Sequence, residues 1–360
     1  MSVTSVDVEN ALKTCVDPYL TTDLVTAGCV KSAQVDAGRI AVTIETGFPL
    51  ARYGTELQSR IESALAPLGL PVSVALSSRI VSHAVQKGTK PLAGVKNTIA
   101  VASGKGGVGK STTAVNLALA LRDEGATVGL LDADIYGPSQ PRMLGASGRP
   151  DSKDGKSMEP KVSHGIQSIS IGHLVEEDTP MIWRGPMATS ALEQLLRETN
   201  WHDLDYLVID LPPGTGDIQL TLCQRIPVSG ALIVTTPQDI ALLDARKALR
   251  MFEKVDVPVL GIVENMSLHT CSNCGHVEHI FGSGGGASMG KQYGVDLLGE
   301  LPLDIRIREG VDTGLPTLVS HPDAPFTQIY REVARKVAGR LARRARDFTG
   351  KFPNIVIQNS

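Results

Sequence analysis

Eight consecutive residues, Gly104-Lys105-Gly106-Gly107-Val108-Gly109-Lys110-Ser111, have the types and spacing needed to hold a phosphate chain. They match the pattern G-x-x-x-x-G-K-[ST] at every position. Glycines lack a Cβ, so consecutive N–H groups can turn inward as an anion nest, and a helix starting there adds its positive end. Lys110 is placed to reach the β- and γ-phosphates of a nucleotide, and the Ser111 hydroxyl to meet Mg²⁺, with Thr112 next in line. A plain glycine turn is the alternative, and the flanks argue against it. Residues 98–102 are short, apolar and partly β-branched, as a buried strand requires. Residues 111–124 read as a helix with Val115, Leu117, Leu119 and Leu121 apolar, and Gly125 stops it.

Ligands of an open α/β sheet lie beyond the carboxyl ends of its strands, so strand-end residues are the next candidates. Asp132 and Asp134 close one apolar run two residues apart, and in extended chain such a pair shares a face. Asp210 closes another and fits an acid that holds Mg²⁺ directly or through water. The glycines of Pro213-Gly214-Thr215-Gly216 behind it would let a backbone N–H approach the γ-phosphate and withdraw after its loss. A lone strand-end Asp is commonly a helix cap, but three acids in this order behind a phosphate loop favour catalysis. Asn265 ends a later strand, where its amide can pair with adenine.

Cys271 and Cys274 form a C-x-x-C loop after that strand. With His276 and His279 they offer four ligands for zinc within one chain, the histidines more tightly spaced than in usual fingers. A redox dithiol is a further possibility. Cys15, Cys29 and Cys223 are isolated and read as small core residues, and so sparse an odd set points to a reducing compartment.

These groups need a frame. The 360 residues are 42% hydrophobic with a formal net charge of −3, ordinary for a globular chain and without the basic field of a nucleic-acid binder. No apolar run is long enough for a membrane span and the first ten residues are polar and acidic, so the expected location is cytoplasmic. From Val95 onward, apolar strand candidates at 127–131, 166–171, 206–209, 231–234, 259–263 and 297–298 alternate with helical stretches. That pattern predicts an α/β fold, a doubly wound and mainly parallel sheet covered on both faces. Residues 145–165 read as loop. Residues 1–85 form a separate small α/β unit, with helices at 6–15 and 55–66 and strands at 39–45 and 71–76. Residues 86–94 continue a run of turn formers from His83 and serve as the linker; 95–348 is the large domain and 349–360 a tail. The last helix, 325–348, carries Arg331, Arg335, Arg340, Arg343, Arg344 and Arg346, read as a solvated face.

The motifs together resemble known families. The K-G-G-x-G-K-[ST] form, with Lys105 after the first glycine, resembles the deviant P-loop of MinD, ParA and the nitrogenase iron protein. The resemblance implies that Lys105 reaches across a homodimer to the partner's nucleotide, like an arginine finger in trans; a solvated loop lysine is the alternative. It further implies that Asp134 orients the attacking water and that Asp132 supports the magnesium shell, within the form D-x-D-x-x-G-P-S. Leu301-Pro302 resembles the loop that packs on the base.

With Trp183-Arg184-Gly185-Pro186-Met187 and Phe281-Gly282-Ser283-Gly284-Gly285-Gly286, residues 95 to about 322 resemble the Mrp/ApbC family of iron–sulfur cluster carrier ATPases. Residues 1–85 resemble the MIP18-like domain, but 46–50 lack its frequent cysteine, which favours docking over metal binding. The family implies ATP and Mg²⁺ as cofactors, and apo iron–sulfur proteins and cluster scaffolds as partners. It also implies a [4Fe–4S] cluster at Cys271 and Cys274; one chain supplies two of the four thiolates such a cluster usually takes, and two chains supply all four. The runner-up function is a partitioning ATPase of the ParA/MinD type acting on DNA or membrane, with zinc at the cysteines.

Overall fold

The computed structural model describes residues 3–175 and 185–344. Trp183 and Arg184 of the W-R-G-P-M motif, the end of the 325–348 helix with Arg346, and residues 349–360 lie outside the described residues.

Eight strands form the central sheet in the spatial order Leu297–Glu300, Val259–Glu264, Gly230–Thr235, Val95–Ala102, Leu204–Asp210, Val128–Asp132, Ile166–Ser170 and Lys161–Ser163. Every neighbouring pair is parallel except the last, a hairpin at the edge. The near-continuous apolar strands predicted this, because a strand covered on both faces cannot alternate with polar residues. Ile99 and Val101 face one hydrophobic cluster, Ala100 and Ala102 the other. The helices Lys110–Asp123 and Pro325–Ala342 cover the first face; Gly185–Glu198, Asp217–Arg225 and Asp239–Lys254 cover the second.

The helix after the phosphate loop is buried nearly all round: Thr113 through Leu121 are inaccessible. It lies between the sheet and the C-terminal helix, so its apolar residues need no single stripe. The expected loop at 145–165 contains the edge strand Lys161–Ser163 instead. Paired on one side only and largely polar, that strand has no hydrophobic pattern to reveal it.

The small N-terminal unit has a sheet ordered Val30–Asp36, Arg39–Thr46, Val72–Ser78, with the helices Ser5–Leu12 and Gly54–Leu65 against it. Leu57, Ile61 and Leu65 form the helix face packed in its core, at the spacing of helix turns. Val30–Asp36 was not anticipated; it is a half-exposed edge strand with no buried residue. The stretch from His83 to Gly94 is pinned rather than free. Gln86 is buried, its side-chain nitrogen donating to the Cys223 and Ile226 carbonyls and its oxygen accepting from Val228 N at 2.7 Å.

The C-terminal arginines correct the expectation of a solvated face. Arg331 is 3% exposed and donates to Asp123 at 2.7 Å and to the Pro322 carbonyl at 2.8 Å. Arg335 donates to Glu124 at 2.7 Å and to Tyr19 Oη at 3.2 Å, and Arg343 to the Leu20 carbonyl at 2.8 Å. Arg340 donates to the Leu260 carbonyl at 2.7 Å. The helix thus bolts the N-terminal unit to the large domain, with the guanidinium forks matched to carboxylates and carbonyls.

Candidate functional site

The phosphate loop leaves the strand Val95–Ala102 and enters the helix Lys110–Asp123. Gly109 caps that helix at φ +82°, and a Cβ there would lie 2.1 Å from Asn265 Nδ2. Gly104 is required by close approach alone, since its Cβ would lie 2.1 Å from the Asp244 carbonyl carbon. The loop is therefore packed against the helix Asp239–Lys254 on one side and the end of Val259–Glu264 on the other.

The three acids meet behind it. Parallel pairing sets Asp132 opposite Asp210 and Ser170 opposite Asp132, all at carboxyl ends. Lys110, 5% exposed, donates to Asp210 Oδ1 and stands 3.2 Å from Ser111 Oγ and 3.9 Å from Asp134. Asp132 is fully buried. Its Oδ1 accepts from Asp134 N at 3.1 Å, and its Oδ2 from Ser139 N, Gln140 N and Ser170 Oγ, each at 3.0 Å. It thus anchors the segment that carries Asp134. Burial raises the Asp132 carboxyl and the nearby Asp210 carboxylate adds to the rise; burial also raises Asp134, against the pull of Lys110.

Asn265 is 8% exposed and donates from Nδ2 to the Val108 carbonyl at 2.9 Å. Its nitrogen is taken by the phosphate loop, so an adenine amine would find its oxygen. Lys105 is half-buried and its ammonium has no partner among the described residues. Thr112 lies in the first turn of the helix, half-buried, its carbonyl accepting from Asn116 Nδ2 at 2.9 Å.

Two participants escaped the sequence reading. Ser170 ends a strand, which is a usable signal. Gln140 is 1% exposed and bridges the Ser111 carbonyl and Asp210 through Nε2, at 3.0 and 2.9 Å. Nothing in its sequence context marks it, because the bridge joins three segments distant in the chain.

The cysteines sit on a two-stranded hairpin, His269–Thr270 against Val277–Glu278. Cys271 is partly exposed and Cys274 exposed, whereas Cys15, Cys29 and Cys223 are buried as expected. Backbone N–H groups of Cys274 and Asn273, followed by the Cys274 thiol, hold the Cys271 thiol below its ordinary range. The histidines do not join them: His279 Nδ1 lies 2.7 Å from the Ser267 carbonyl and His276 faces Glu278 at 3.9 Å. Among the described residues no three His, Cys, Asp or Glu side chains converge as a metal site. Beyond the hairpin the helix Gly285–Tyr293 starts close against the helix Asp239–Lys254, where a Cβ on Gly285 would meet Leu242 at 2.4 Å and the Pro237 carbonyl at 2.9 Å.

Comparison with known proteins agrees with this geometry. Residues 94–338 match the family model described as ParA, NUBPL iron-transfer P-loop NTPase, and residues 5–76 match that of an iron–sulfur cluster assembly protein. An iron–sulfur cluster carrier protein of Escherichia coli strain K12 is 62% identical over 267 residues, 74% of this chain and 72% of that one. One from Haemophilus influenzae is 52% identical over 327 residues, 90% of this chain and 88% of the relative. The iron–sulfur cluster transfer protein NUBPL of Mus musculus is 52% identical over 266 residues, 73% of this chain and 83% of its own length. Among solved structures, a nucleotide-binding protein from Archaeoglobus fulgidus in complex with ADP superposes with a TM-score of 0.56. Its identity is 36%, covering 65% of this chain and 91% of that one. The MinD cell-division ATPase of Pyrococcus furiosus shares the fold, with a TM-score of 0.50 at 22% identity over 67% of this chain and 98% of its own. The chain belongs to the family of NUBPL-type iron-transfer P-loop NTPases.

Proposed function

We propose that this protein is an ATP-dependent iron–sulfur cluster carrier. A homodimer would hold a [4Fe–4S] cluster between Cys271 and Cys274 of each subunit, receive it from scaffold proteins and deliver it to apo iron–sulfur proteins. The observation that carries this reading is the exposed C-x-x-C hairpin, open to a second copy and supplying two thiolates where the cluster takes four. Exposed apolar side chains adjoin both sites: Ile240 and Leu243 on the helix that packs on Gly104, Val277 and Ile280 on the hairpin. Exposed apolar side chains at both sites suit an isologous contact with a second copy.

The residues also suit Mg²⁺, a hard cation that takes oxygen ligands and keeps several waters. Ser111 and Asp210 would hold it, Asp132 would support its shell, and two buried oxygens beside them, Ser139 Oγ and Gln140 Oε1, have no hydrogen-bond partner among the described residues. When bound, the cation screens charge on the β- and γ-phosphates. Lys110 then exchanges Asp210 for phosphate oxygens, which frees the acid. Asp134 orients the attacking water, Lys105 of the second subunit offsets charge on the transferred group, and Asn265 contacts the base. Turnover at this site would switch the dimer between cluster-holding and cluster-releasing arrangements.

The partitioning alternative has less support. Arg331, Arg335, Arg340 and Arg343 are engaged internally, and no described helix is long and apolar enough to cross a membrane. DNA affinity falling steeply with salt would favour it. Anaerobic reconstitution with iron and sulfide analysis tests the carrier reading: about four irons and four sulfides per dimer are expected. One tightly bound zinc per monomer would overturn it.

A further inference from the structure

We infer that Gln140 is a positioning residue for the magnesium shell, its amide oxygen accepting a hydrogen bond from a metal-bound water while its nitrogen holds Asp210. The inference rests on the Mg²⁺-ATP reading of the phosphate loop.

Three observations carry it. Gln140 Nε2 lies 3.0 Å from the Ser111 carbonyl and 2.9 Å from Asp210 Oδ2. Both neighbours only accept, so chemistry places the NH₂ on their side and leaves Oε1 at the other end. That oxygen is buried and has no partner among the described residues, although a buried acceptor is ordinarily satisfied. Finally, the Gln140 backbone N–H donates to Asp132 Oδ2 at 3.0 Å, so one residue touches the phosphate-loop helix, Asp210 and Asp132 together.

An unmet acceptor beside these acids suits a donor that arrives with the ligand. Magnesium dehydrates reluctantly and keeps several waters, each with two protons to donate. Asp132 already accepts protein donors and Asp210 is the acid that would hold the cation, so the neutral Gln140 oxygen, with Ser139 Oγ beside it in sequence, is left open to such a water. A neutral acceptor orients the water without adding charge against the phosphates. Gln140 follows Gly137-Pro138-Ser139, so it would also report to the cation whether the segment bearing Asp134 is in place.

The test compares ATP dissociation constants of the full-length protein in EDTA and in saturating Mg²⁺, for wild type, Gln140→Leu and Gln140→Glu. The readout is the ratio of the two constants, with Mn²⁺ electron paramagnetic resonance reporting the metal's shell directly. Loss of one acceptor should lower the ratio about fivefold in Gln140→Leu. Gln140→Glu adds a carboxylate beside Asp210, so it should weaken metal-free binding and raise the ratio. The Mn²⁺ signal should change in both. A uniform loss of affinity that leaves the ratio at the wild-type value would overturn the inference and leave Gln140 as a structural bridge. So would a lowered ratio in Gln140→Glu. If wild type itself shows no gain from Mg²⁺, the underlying magnesium reading fails, and that is visible before any variant is compared.

Discussion

The nucleotide end and the cysteine end of this molecule are built in opposite ways. Around the phosphate loop, Lys110, Asp132 and Asp210 are buried: Lys110 donates to Asp210, Gln140 donates to both acids, and Ser170 donates to Asp132. At the hairpin, two short strands present Cys271 and Cys274 to the outside, with Val277 and Glu278 exposed beside them. A nest for phosphate must be rigid before its ligand arrives, because donors that reorganise during reaction lose electrostatic advantage. A cluster that is to be handed on must stay reachable. One end is buried and closed by its own hydrogen bonds; the other leaves its two thiols open to solvent.

The ends are nevertheless joined. Asn265 grips the Val108 carbonyl, Met266 follows at φ +57°, and the Ser267 carbonyl lies 2.7 Å from His279 Nδ1. Three consecutive residues therefore run from the phosphate loop to the hairpin, with a non-glycine residue in left-handed backbone between them.

The sharpest way to separate the ends is Lys110→Ala, expected to reduce ATP turnover by a factor of about a hundred or more while iron binding by reconstituted protein persists. A steady-state phosphate-release assay reads it, and turnover within about threefold of wild type would break the assignment. Cys271→Ser or Cys274→Ser should do the reverse. Cluster absorbance and iron content should vanish, because an alcohol is a poor substitute for thiolate on iron, while ATP affinity measured calorimetrically stays within about twofold. Asn265→Ala should have an intermediate effect, weakening ATP binding by about five- to tenfold through one lost hydrogen bond to the loop. If the link along Met266 transmits occupancy, the same variant should blunt any ATP-induced change in alkylation rate of the two cysteines. His276→Ala should change least: iron content should match wild type, whereas metal loss in that variant would restore the intrachain zinc site.

Much of this was legible from residue order. The phosphate loop, the three strand-end acids, Asn265 and the parallel sheet all depend on local pattern: glycines at set spacing, apolar runs of strand length, and polar residues where those runs stop. Such features arise within a few residues, so the chain alone determines them. What tertiary structure decided concerns side chains that meet across long separations. Gln140 bridges positions 29 and 70 residues away. Arg335 finds Tyr19 across 316 residues, which turns an apparently solvated arginine face into a bolt between domains. Gln86, in a stretch with the composition of a linker, is buried because three backbone groups near Cys223 and Val228 satisfy its amide. Composition registers a residue's polarity but not whether a partner waits for it, and burial of a polar group turns on that partner alone.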